Sequence, residues 1–517
     1  MNKIGFKNFR KFSNFPEIDL GGVTILVGGN NAGKSTLVKA ILLMRDFIHS
    51  KAAVYQNNKN NPLMPIFKFD TEHVSIGSFN RAFCRNSAQN EDTLSFTIGL
   101  QEFVISVNIR GTRDALDQSF VDKIEIFDTI SNTRFLVSYV TNEMSIHFGS
   151  SKKDLEIVDN MIELERKSAE LNDRINQSND LDEISKIKVE LNFVTKQILA
   201  IKSKTIQTDE TVLFALPIKS ILDVSRDGRM LLPLIVLYPT LYCQSETVGD
   251  KRSKKYKEDE SQKKILSAKD SLIGVISNRL SRAISRNSIE YIYAHSVSQQ
   301  VFYNIVKDSN DYVTRTIHDF YQSRISEGDE EFLFLQQWLE KFEIGKSIEI
   351  NQYAGEAYRV LIKDDENNEA VDLADKGMGS IQMTVLLLRI STLIRMHKGR
   401  NLTVLLEEPE QNLHPALQSK ITEMLYEVHN KFGFQFVVET HSEYLVRNSQ
   451  VIVGKNYDSD EKLETNPFRI YYMPKNGVPY PIGYTSTGRL TEKFEPGFYD
   501  EAGKANYYLM RKERGLE

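Results

Sequence analysis

The sequence has few of the residues that build a disulfide framework, and it has no apolar run long enough to cross a bilayer. Its two cysteines, Cys84 and Cys243, show no metal-ligand spacing and fit a reducing compartment. The longest apolar candidate, Leu231–Leu241, is interrupted by proline and tyrosine, whereas a membrane helix needs about 20 apolar residues. The N-terminus lacks the apolar region of a signal peptide. We therefore expect a cytoplasmic protein that does not enter a membrane.

A strong charge of either sign is also missing. The chain has 65 basic and 70 acidic residues and a formal net charge of −5, so it has no global basic field to attract nucleic acid. Two local basic segments, Lys251–Lys257 and Arg279–Arg286, leave DNA binding open as an alternative. The 517 residues, 41% of them hydrophobic, are enough for a large core and for about two to four domains.

A glycine-rich motif near the N-terminus predicts a phosphate-binding site. Residues 28–35 match G-x-x-x-x-G-K-[S/T] in full, between an apolar strand and a helical segment. Glycines let the backbone approach phosphate, and a helix N-terminus adds unpaired N–H groups. We expect Lys34 to bridge the β- and γ-phosphates, Ser35 to bind Mg²⁺ and Thr36 to contact the α-phosphate. The predicted ATP-binding residues of this motif are Gly28, Gly29, Asn30, Asn31, Ala32, Gly33, Lys34, Ser35 and Thr36.

Two later strand ends supply the other predicted catalytic groups. An apolar run at 402–406 ends in Glu407 and Glu408, whose side chains point to opposite faces of the strand. We expect Glu407 to approach Mg²⁺ through water and Glu408 to polarise the attacking water as general base. The strand at 435–439 precedes His441, a predicted γ-phosphate contact. Taken separately, solvated acids and a structural histidine are the alternatives, but the order of the three motifs favours a nucleotide site.

Between these motifs the periodicity changes twice. Short β-rich runs within 94–140 predict an antiparallel sheet. Apolar residues then recur every three or four positions at 161–175 and again at 184–201, on either side of a polar break. This spacing predicts two helical arms that pair as a coiled-coil hairpin. The alternative is an ordinary helix pair that packs on the body of the protein.

Taken together, the motifs resemble ABC-type ATPase heads of the SMC, RecF and OLD kind. Residues 6–12 are similar to the opening strand of those heads, and Arg10 best matches the basic residue that meets the nucleotide there. Residues 407–415 resemble the family's Walker B motif and D-loop, and residues 439–442 resemble its switch-histidine segment. The segment 495–501 looks like a tail of bacterial predicted ATPases of this group.

The resemblance implies an α/β fold, a P-loop NTPase of the ABC-type head with a mixed sheet, an antiparallel lobe, an inserted helical hairpin and a helical middle region. It implies that two heads sandwich ATP and Mg²⁺, in a homodimer or higher homo-oligomer. A signature-like loop would reach the partner's ATP through Lys376, Gly377 and Gly379. Glycine replaces the usual serine of that loop, and Glu407 stands where the family usually has aspartate. We therefore expect a slow ATPase.

These observations predict four regions and a role. The regions are head lobe I with the P-loop at 1–150, the helical hairpin at 151–205, a mainly helical middle region at 206–370, and head lobe II at 371–517. No block resembles the TOPRIM nuclease of OLD proteins, and similar heads, such as the ATPase subunits of Septu-like and PARIS-like systems, occur beside a separate effector in bacterial anti-phage defence. The resemblance therefore implies an ATP-dependent switch or sensor that controls a partner effector, for example a nuclease. The alternative is a DNA-acting ATPase of the RecF or SMC repair type.

Overall fold

The computed structural model describes two compact units. The first unit comprises Met1, Ile18–Lys39 and Arg286–Glu517, and the second comprises Asn2–Glu17 and Ala40–Ser285. The described residues are 1–50, 66–85, 93–111, 119–140, 143–149, 164, 167, 168, 170, 171, 174, 175, 181–205, 212–217, 230–236, 272–293, 300–304, 311–353, 357–364, 370–496 and 498–513. The predicted division into four regions stays a prediction.

The described residues form the following strands and helices. The strands are β1 (Lys3–Phe9), β2 (Phe12–Asp19), β3 (Val23–Gly28), β4 (Thr93–Leu100), β5 (Phe103–Gly111), β6 (Ser119–Asp128), β7 (Thr133–Val140), β8 (Glu143–Gly149), β9 (Val212–Pro217), β10 (Asn287–Tyr293), β11 (Tyr303–Asn304), β12 (Ser347–Tyr353), β13 (Ala357–Lys363), β14 (Ala370–Asp372), β15 (Asn401–Glu407), β16 (Gln435–Glu439), β17 (Phe468–Met473) and β18 (Tyr480–Ile482). The helices are α1 (Lys34–Ile48), α2 (Phe79–Ala82), α3 (Leu181–Thr205), α4 (Tyr312–Gln322), α5 (Glu330–Lys341), α6 (Met378–Met396), α7 (Pro415–Phe432), α8 (Glu443–Asn456), α9 (Asp460–Glu464) and α10 (Glu501–Glu513). Residues 231–236 and 272–286 are also helical.

The central sheet of the first unit has the strand order β10-β15-β16-β3-β17-β18. Its neighbouring strands run parallel from β10 to β17, and only β18 is antiparallel. All six residues of β3 are buried, as expected for a parallel strand that is covered on both faces. Because β3, β15 and β16 run in the same direction, the residues that follow them meet at one edge of the sheet. The predicted mixed α/β fold is confirmed.

The ends of α7 and α8 anchor the loops that follow β15 and β16. α7 has Pro415 in its first turn. The preceding residue, His414, caps the helix, because its side chain accepts a hydrogen bond from the backbone N–H of Ala416. The helix ends at Gly433, whose φ of 72° is the left-handed conformation typical of a C-terminal cap. α8 begins after Ser442, whose hydroxyl accepts from the backbone N–H of Tyr444 at 3.1 Å. The loops after β15 and β16 are therefore anchored at both ends.

The interval 206–370 contains strands as well as helices. A small antiparallel sheet with the order β11-β13-β12 and with β14 beside β13 lies in the first unit, and β10 joins the central sheet. In β13 buried and half-buried positions alternate strictly, which is the period-two pattern of a strand with one face on a core. The expectation of a mainly helical region missed these strands, because the alternation extends over only seven residues.

The second unit is built on an eight-stranded sheet with the order β2-β1-β4-β5-β6-β7-β8-β9. The pairs from β4 to β7 are antiparallel, so the sheet predicted within 94–140 is confirmed. Phenylalanines fill its core. The rings of Phe6 and Phe15 stack with their centroids 4.3 Å apart, and Phe9 meets Phe96 edge to face at 5.0 Å.

The predicted pair of helical arms also lies in the second unit. The described residues between 164 and 175 are helical, and α3 forms the second arm. One apolar cluster joins the two arms, and Lys167 and Glu190 form an ion pair of 2.8 Å across them. The cluster consists of Leu164, Leu171, Ile175, Ile187, Leu191 and Val194. The spacing of these residues predicted their packing correctly, whereas a projecting coiled coil stays a prediction.

Among the described residues no helix is long and apolar enough to cross a membrane. The basic segment Lys251–Lys257 and the second cysteine, Cys243, lie outside the described residues, and Cys84 is a buried thiol.

Candidate functional site

The glycine loop between β3 and α1 needs glycine at both ends. A Cβ on Gly28 would lie 2.4 Å from the carbonyl oxygen of Met473. Gly33 has a φ of 104°, which residues with a side chain rarely adopt. At Gly29 no atom of the described residues lies within 4 Å of the Cβ position. The loop therefore has an open face at Gly29, as the close approach of a phosphate group to the backbone requires.

The remaining loop positions differ in exposure. Asn30 and Asn31 are exposed, and Asn31 has a left-handed φ of 60°. Ala32 is buried, and its N–H donates to the carbonyl of Gly29 at 3.2 Å. Thr36 is buried in the first turn of α1. Its contact with an α-phosphate stays a prediction.

Lys34 turns back toward its own loop. Its Nζ donates to the carbonyl oxygens of Gly28 at 2.9 Å and Gly29 at 3.2 Å, and it lies 3.0 Å from Nε2 of His441. Burial lowers the pKa of Lys34, and the nearby carboxylates of Glu439 and Glu408 oppose that shift. A phosphate group would offer this ammonium a charged acceptor in place of neutral carbonyls, and charged acceptors give stronger hydrogen bonds.

Ser35 contacts an acid that the sequence analysis did not assign. Its Oγ donates to Oε1 of Glu439 at 2.9 Å. Glu439 is the last residue of β16 and is almost fully buried. Burial and then the charge of Glu407 raise the pKa of Glu439 to about 7. The signal was present in the sequence, since Glu439 ends an apolar strand as Glu407 does.

Glu407 lies at the end of β15 and is paired in register with Glu439. Its Oε2 accepts a hydrogen bond of 2.7 Å from the hydroxyl of Tyr291, which β10 contributes. Burial and the charge of Glu407 raise the pKa of Tyr291, so the phenol remains a donor. No local sequence pattern indicates a role for Tyr291, because the contact depends on β10 lying next to β15.

Glu408 leaves the strand in the left-handed conformation with a φ of 43°. Its backbone N–H donates to the carbonyl of Glu439 at 2.8 Å, which ties the two strand ends together. Its carboxylate accepts from the side-chain amide of Gln411 and lies 3.6 Å from Nε2 of His441. The structure therefore brings the predicted base, Glu408, to the same place as Lys34 and His441.

His441 occupies the centre of this group. Burial and then the charge of Lys34 lower its pKa, while Glu408 acts in the opposite direction. A charged lysine can only donate, so Nε2 of the neutral imidazole accepts from Lys34. Because the imidazole of His441 is neutral, it can exchange its hydrogen bond with Lys34 for one with another group while its own charge stays zero.

Glu410 contacts the backbone of the histidine segment. Its Oε1 accepts from the hydroxyl of Thr440 at 2.6 Å and from the backbone N–H of His441 at 2.8 Å. Burial raises the pKa of this carboxyl group. On the other side of the segment, the hydroxyl of Tyr499 donates to the carbonyl of Ser442 at 3.0 Å. Glu410 and Tyr499 both lie in segments that resemble the family, but the sequence predicts no role for either residue.

The signature-like loop packs on the D-loop of the same chain. A Cβ on Gly379 would lie 2.4 Å from the carbonyl oxygen of Asn412, so only glycine allows this approach. Gly377 precedes α6 without a side-chain cap, and Nζ of Lys376 donates to Asp364 at 2.5 Å and to the carbonyl of Ile344 at 3.1 Å. The described contacts of these three residues do not include Lys34, and their contact with a partner's ATP stays a prediction.

Arg10 belongs to the second unit, where it is exposed and has a φ of 53°. Its backbone N–H donates to the carbonyl of Ala82 at 2.6 Å. Its predicted contact with nucleotide stays a prediction.

The donors at this sheet edge fit a triphosphate with a divalent cation. The start of α1 and Lys34 offer N–H groups to phosphate, and Ser35 with the strand-end acids offers the oxygen ligands that Mg²⁺ prefers. Oε2 of Glu439 is buried and has no hydrogen-bond partner among the described residues. Groups of three or more His, Cys, Asp or Glu side chains that could hold a metal are absent from the described ranges. Mg²⁺ does not need such a group, because one or two carboxylates together with phosphate oxygens and water complete its coordination shell.

A family comparison agrees with this chemistry. A family model described as an AAA ATPase domain matches residues 1–446. Solved structures with 10% identity include an Smc head domain with an extended coiled coil bound to the C-terminal domain of ScpA, from Pyrococcus furiosus, which covers 99% of both chains with a TM-score of 0.30. They also include the SMC head domain from Thermotoga maritima, which covers 94% of this chain and 98% of that one with a TM-score of 0.32. Similarities of this size support no argument about function. No curated protein matches the sequence.

Proposed function

The chain belongs to the family of AAA ATPase domains, and from that premise we propose that it binds ATP with Mg²⁺ at the loop 28–36 and hydrolyses it slowly. One observation supports this most strongly. Nζ of Lys34 lies 3.0 Å from Nε2 of His441, and that nitrogen lies 3.6 Å from Oε1 of Glu408. A cation, a neutral imidazole and a carboxylate at these distances are the groups needed to hold a terminal phosphate and activate a water.

Each residue of the chain has a separate task in this proposal. When bound, Mg²⁺ neutralises charge on the phosphates. Lys34 exchanges its two carbonyl acceptors for phosphate oxygens, and the N–H groups at the start of α1 bind beside it. Glu408 orients a water and accepts its proton. Once Lys34 binds phosphate, the neutral ring of His441 takes the tautomer that donates a hydrogen bond to the terminal phosphate, and Glu410 keeps the backbone of His441 in place.

We further propose that ATP binding pairs two heads and that the pair acts as a switch for a partner effector in bacterial antiviral defence. Residues 407–415 resemble heads of the SMC, RecF and OLD kind, and residues 495–501 resemble a tail of bacterial predicted ATPases of that group. Similar heads occur beside a separate effector in anti-phage defence, and this analogy supports the role. The paired helical arms offer a surface for the effector, and the net charge of −5 favours a protein partner over DNA.

The basic segment Arg279–Arg286 adds little support for the DNA-repair alternative. The guanidinium of Arg279 binds Asp128 at 2.9 Å and Glu102 at 3.3 Å, and the Asp128 side chain is fully buried. Arg282 and Arg286 are exposed. One charge of the segment is therefore already neutralised within the second unit, although the other two remain able to meet phosphate.

Nucleotide binding and phosphate release test the enzymatic part. Wild type should bind ATP and release phosphate, and Lys34→Ala should do neither, because it removes the buried cation. Lys455→Ala, which removes an exposed lysine in the last turn of α8, serves as the control for loss of one positive charge. Equal ATP affinity in wild type and Lys34→Ala would contradict the assignment of the loop.

The switch is tested by the particle mass of the protein with ATP and by the protection of bacteria against phage. Light scattering of Glu408→Gln should show that ATP doubles the particle mass, and an unchanged mass would argue against paired heads. In bacteria that carry the gene with its neighbours, phage plating should be reduced by wild type and restored by Lys34→Ala. ATP-dependent binding of the pure protein to duplex DNA at low salt would instead favour the repair alternative.

A further inference from the structure

We propose that Glu439 is a magnesium ligand that acts together with Ser35. This inference rests on the proposed ATP function and adds a metal-binding residue to it, since the sequence motifs place the metal on Ser35 and Glu407 alone. Glu439 was noticed in the sequence only as the neighbour of the switch histidine.

The contact with Ser35 is the first observation. The hydroxyl of Ser35 donates to Oε1 of Glu439 at 2.9 Å, so the carboxylate lies directly beside the P-loop group that binds Mg²⁺ in proteins with this motif. Oε2 of Glu439 has no hydrogen-bond partner among the described residues, although the side chain is only 5% exposed. A buried carboxylate oxygen without a partner is costly, and a cation held beside Ser35 would remove that cost.

The strand order explains why Glu439 and not Glu407 reaches Ser35. β16 lies between β15 and β3, and Glu439 is paired in register with Glu407 on one side and with Leu26 on the other. Neighbouring strands are about 4.8 Å apart, so Glu407 lies one strand further from the P-loop strand. Its Oε2 is already bound by Tyr291 from the opposite side. Glu439 is thus the strand-end acid nearest to Ser35.

Charge balance points the same way. Paired positions on neighbouring strands place their side chains on one face, so Glu407 and Glu439 repel each other. Lys34 directs its hydrogen bonds to the loop carbonyls and to His441, and within the described ranges no ion pair shorter than 4 Å reaches Glu439. A divalent cation held by Ser35 and Glu439 would remove the repulsion and satisfy the unpartnered oxygen. Mg²⁺ is the cation that suits oxygen ligands beside a triphosphate.

The test measures how much Mg²⁺ tightens ATP binding, without hydrolysis. Affinity for a non-hydrolysable ATP analogue is measured by calorimetry with Mg²⁺ and with EDTA. Wild type should bind more tightly with Mg²⁺. Glu439→Gln keeps the size of the side chain and should lose about tenfold or more of that gain, while its affinity in EDTA stays the same or rises. Ser35→Ala should behave similarly, and Glu443→Gln, an acid on α8, should retain the full gain.

Two outcomes overturn the inference while leaving ATP binding intact: a full Mg²⁺ gain in Glu439→Gln, or no Mg²⁺ gain in wild type. Absence of analogue binding to wild type in both buffers would instead refute the proposed function. If thermal unfolding shows that Glu439→Gln does not fold, Glu439→Asp replaces it, since it keeps the charge and shortens the reach. Electron paramagnetic resonance with Mn²⁺ in place of Mg²⁺ then reports the metal directly. The spectrum of the analogue complex should change in the variant, and an unchanged spectrum contradicts the role.

Discussion

The backbone N–H of His441 donates a 2.8 Å hydrogen bond to the buried carboxylate of Glu410, which also accepts from the hydroxyl of Thr440. The histidine side chain contacts Lys34 on the opposite side. One acid in the loop after β15 therefore sets the backbone of the residue that follows β16, and the position of the imidazole depends on both strand ends.

Glu410→Ala should lower hydrolysis more than ATP binding. It leaves the hydroxyl of Thr440 and the N–H of His441 buried without their acceptor, which typically costs about 1–3 kcal/mol. We expect a lower midpoint of thermal unfolding and a lower kcat, with KM less affected. Glu410→Gln retains a carbonyl acceptor of the same reach and should restore most of kcat. If Gln and Ala variants had the same kcat, the hydrogen bonds to residues 440 and 441 would not position the histidine.

Glu408→Gln should separate binding from chemistry. The amide keeps the shape of the side chain but cannot accept a proton from water, and general-base catalysis typically contributes about 10²–10⁴-fold to a rate. We expect phosphate release to slow by at least about 100-fold and ATP affinity to stay within severalfold of wild type. Single-turnover assays and equilibrium binding provide the two measurements. Hydrolysis at the wild-type rate would exclude Glu408 as the base.

Two adjacent glycines should respond differently to the same substitution. Gly28→Ala forces a Cβ to within 2.4 Å of the Met473 carbonyl, so we expect both a lower unfolding temperature and loss of ATP binding. Gly29→Ala meets no described atom within 4 Å, so it should fold as wild type does but bind ATP more weakly. Thermal unfolding without nucleotide, followed by ATP binding, distinguishes the two effects. Equal unfolding temperatures for both variants would contradict the close approach at Gly28.

The contribution of Glu439 to the stability of the nucleotide-free protein should fall as pH rises toward neutrality. Burial and Glu407 raise the pKa of Glu439 from 4.5 to about 7, so the folded chain holds this proton more tightly than the unfolded chain does. The stabilisation is complete below pH 4.5, falls above it and is lost as pH passes 7. Denaturant unfolding at pH 5 and pH 8 should show that wild type loses about 2–3 kcal/mol relative to Glu439→Gln. A pH-independent difference between the two proteins would contradict the raised pKa.

Local patterns were enough to locate the groups of the site. The loop 28–35, the acids at 407 and 408 and the histidine at 441 each follow a short apolar strand, and the carboxyl ends of parallel strands meet at one sheet edge. The antiparallel strands within 94–140 could also be predicted from the sequence, because alternation with a period of two is a local signal. The strands at 347–363 were missed, since their alternation is short and lies between long helices.

The sequence by itself determined which groups are available: a glycine loop with Lys34, two strand-end acids and His441, because these depend on residue type and local strand ends. Only the tertiary structure decided how the groups are paired. The order β15-β16-β3 places Glu439 rather than Glu407 beside Ser35, and β10 places Tyr291 on Glu407. Strand order joins residues that are hundreds of positions apart, and hydrogen bonds between such residues depend on where the sheet places them and not on any pattern within either segment.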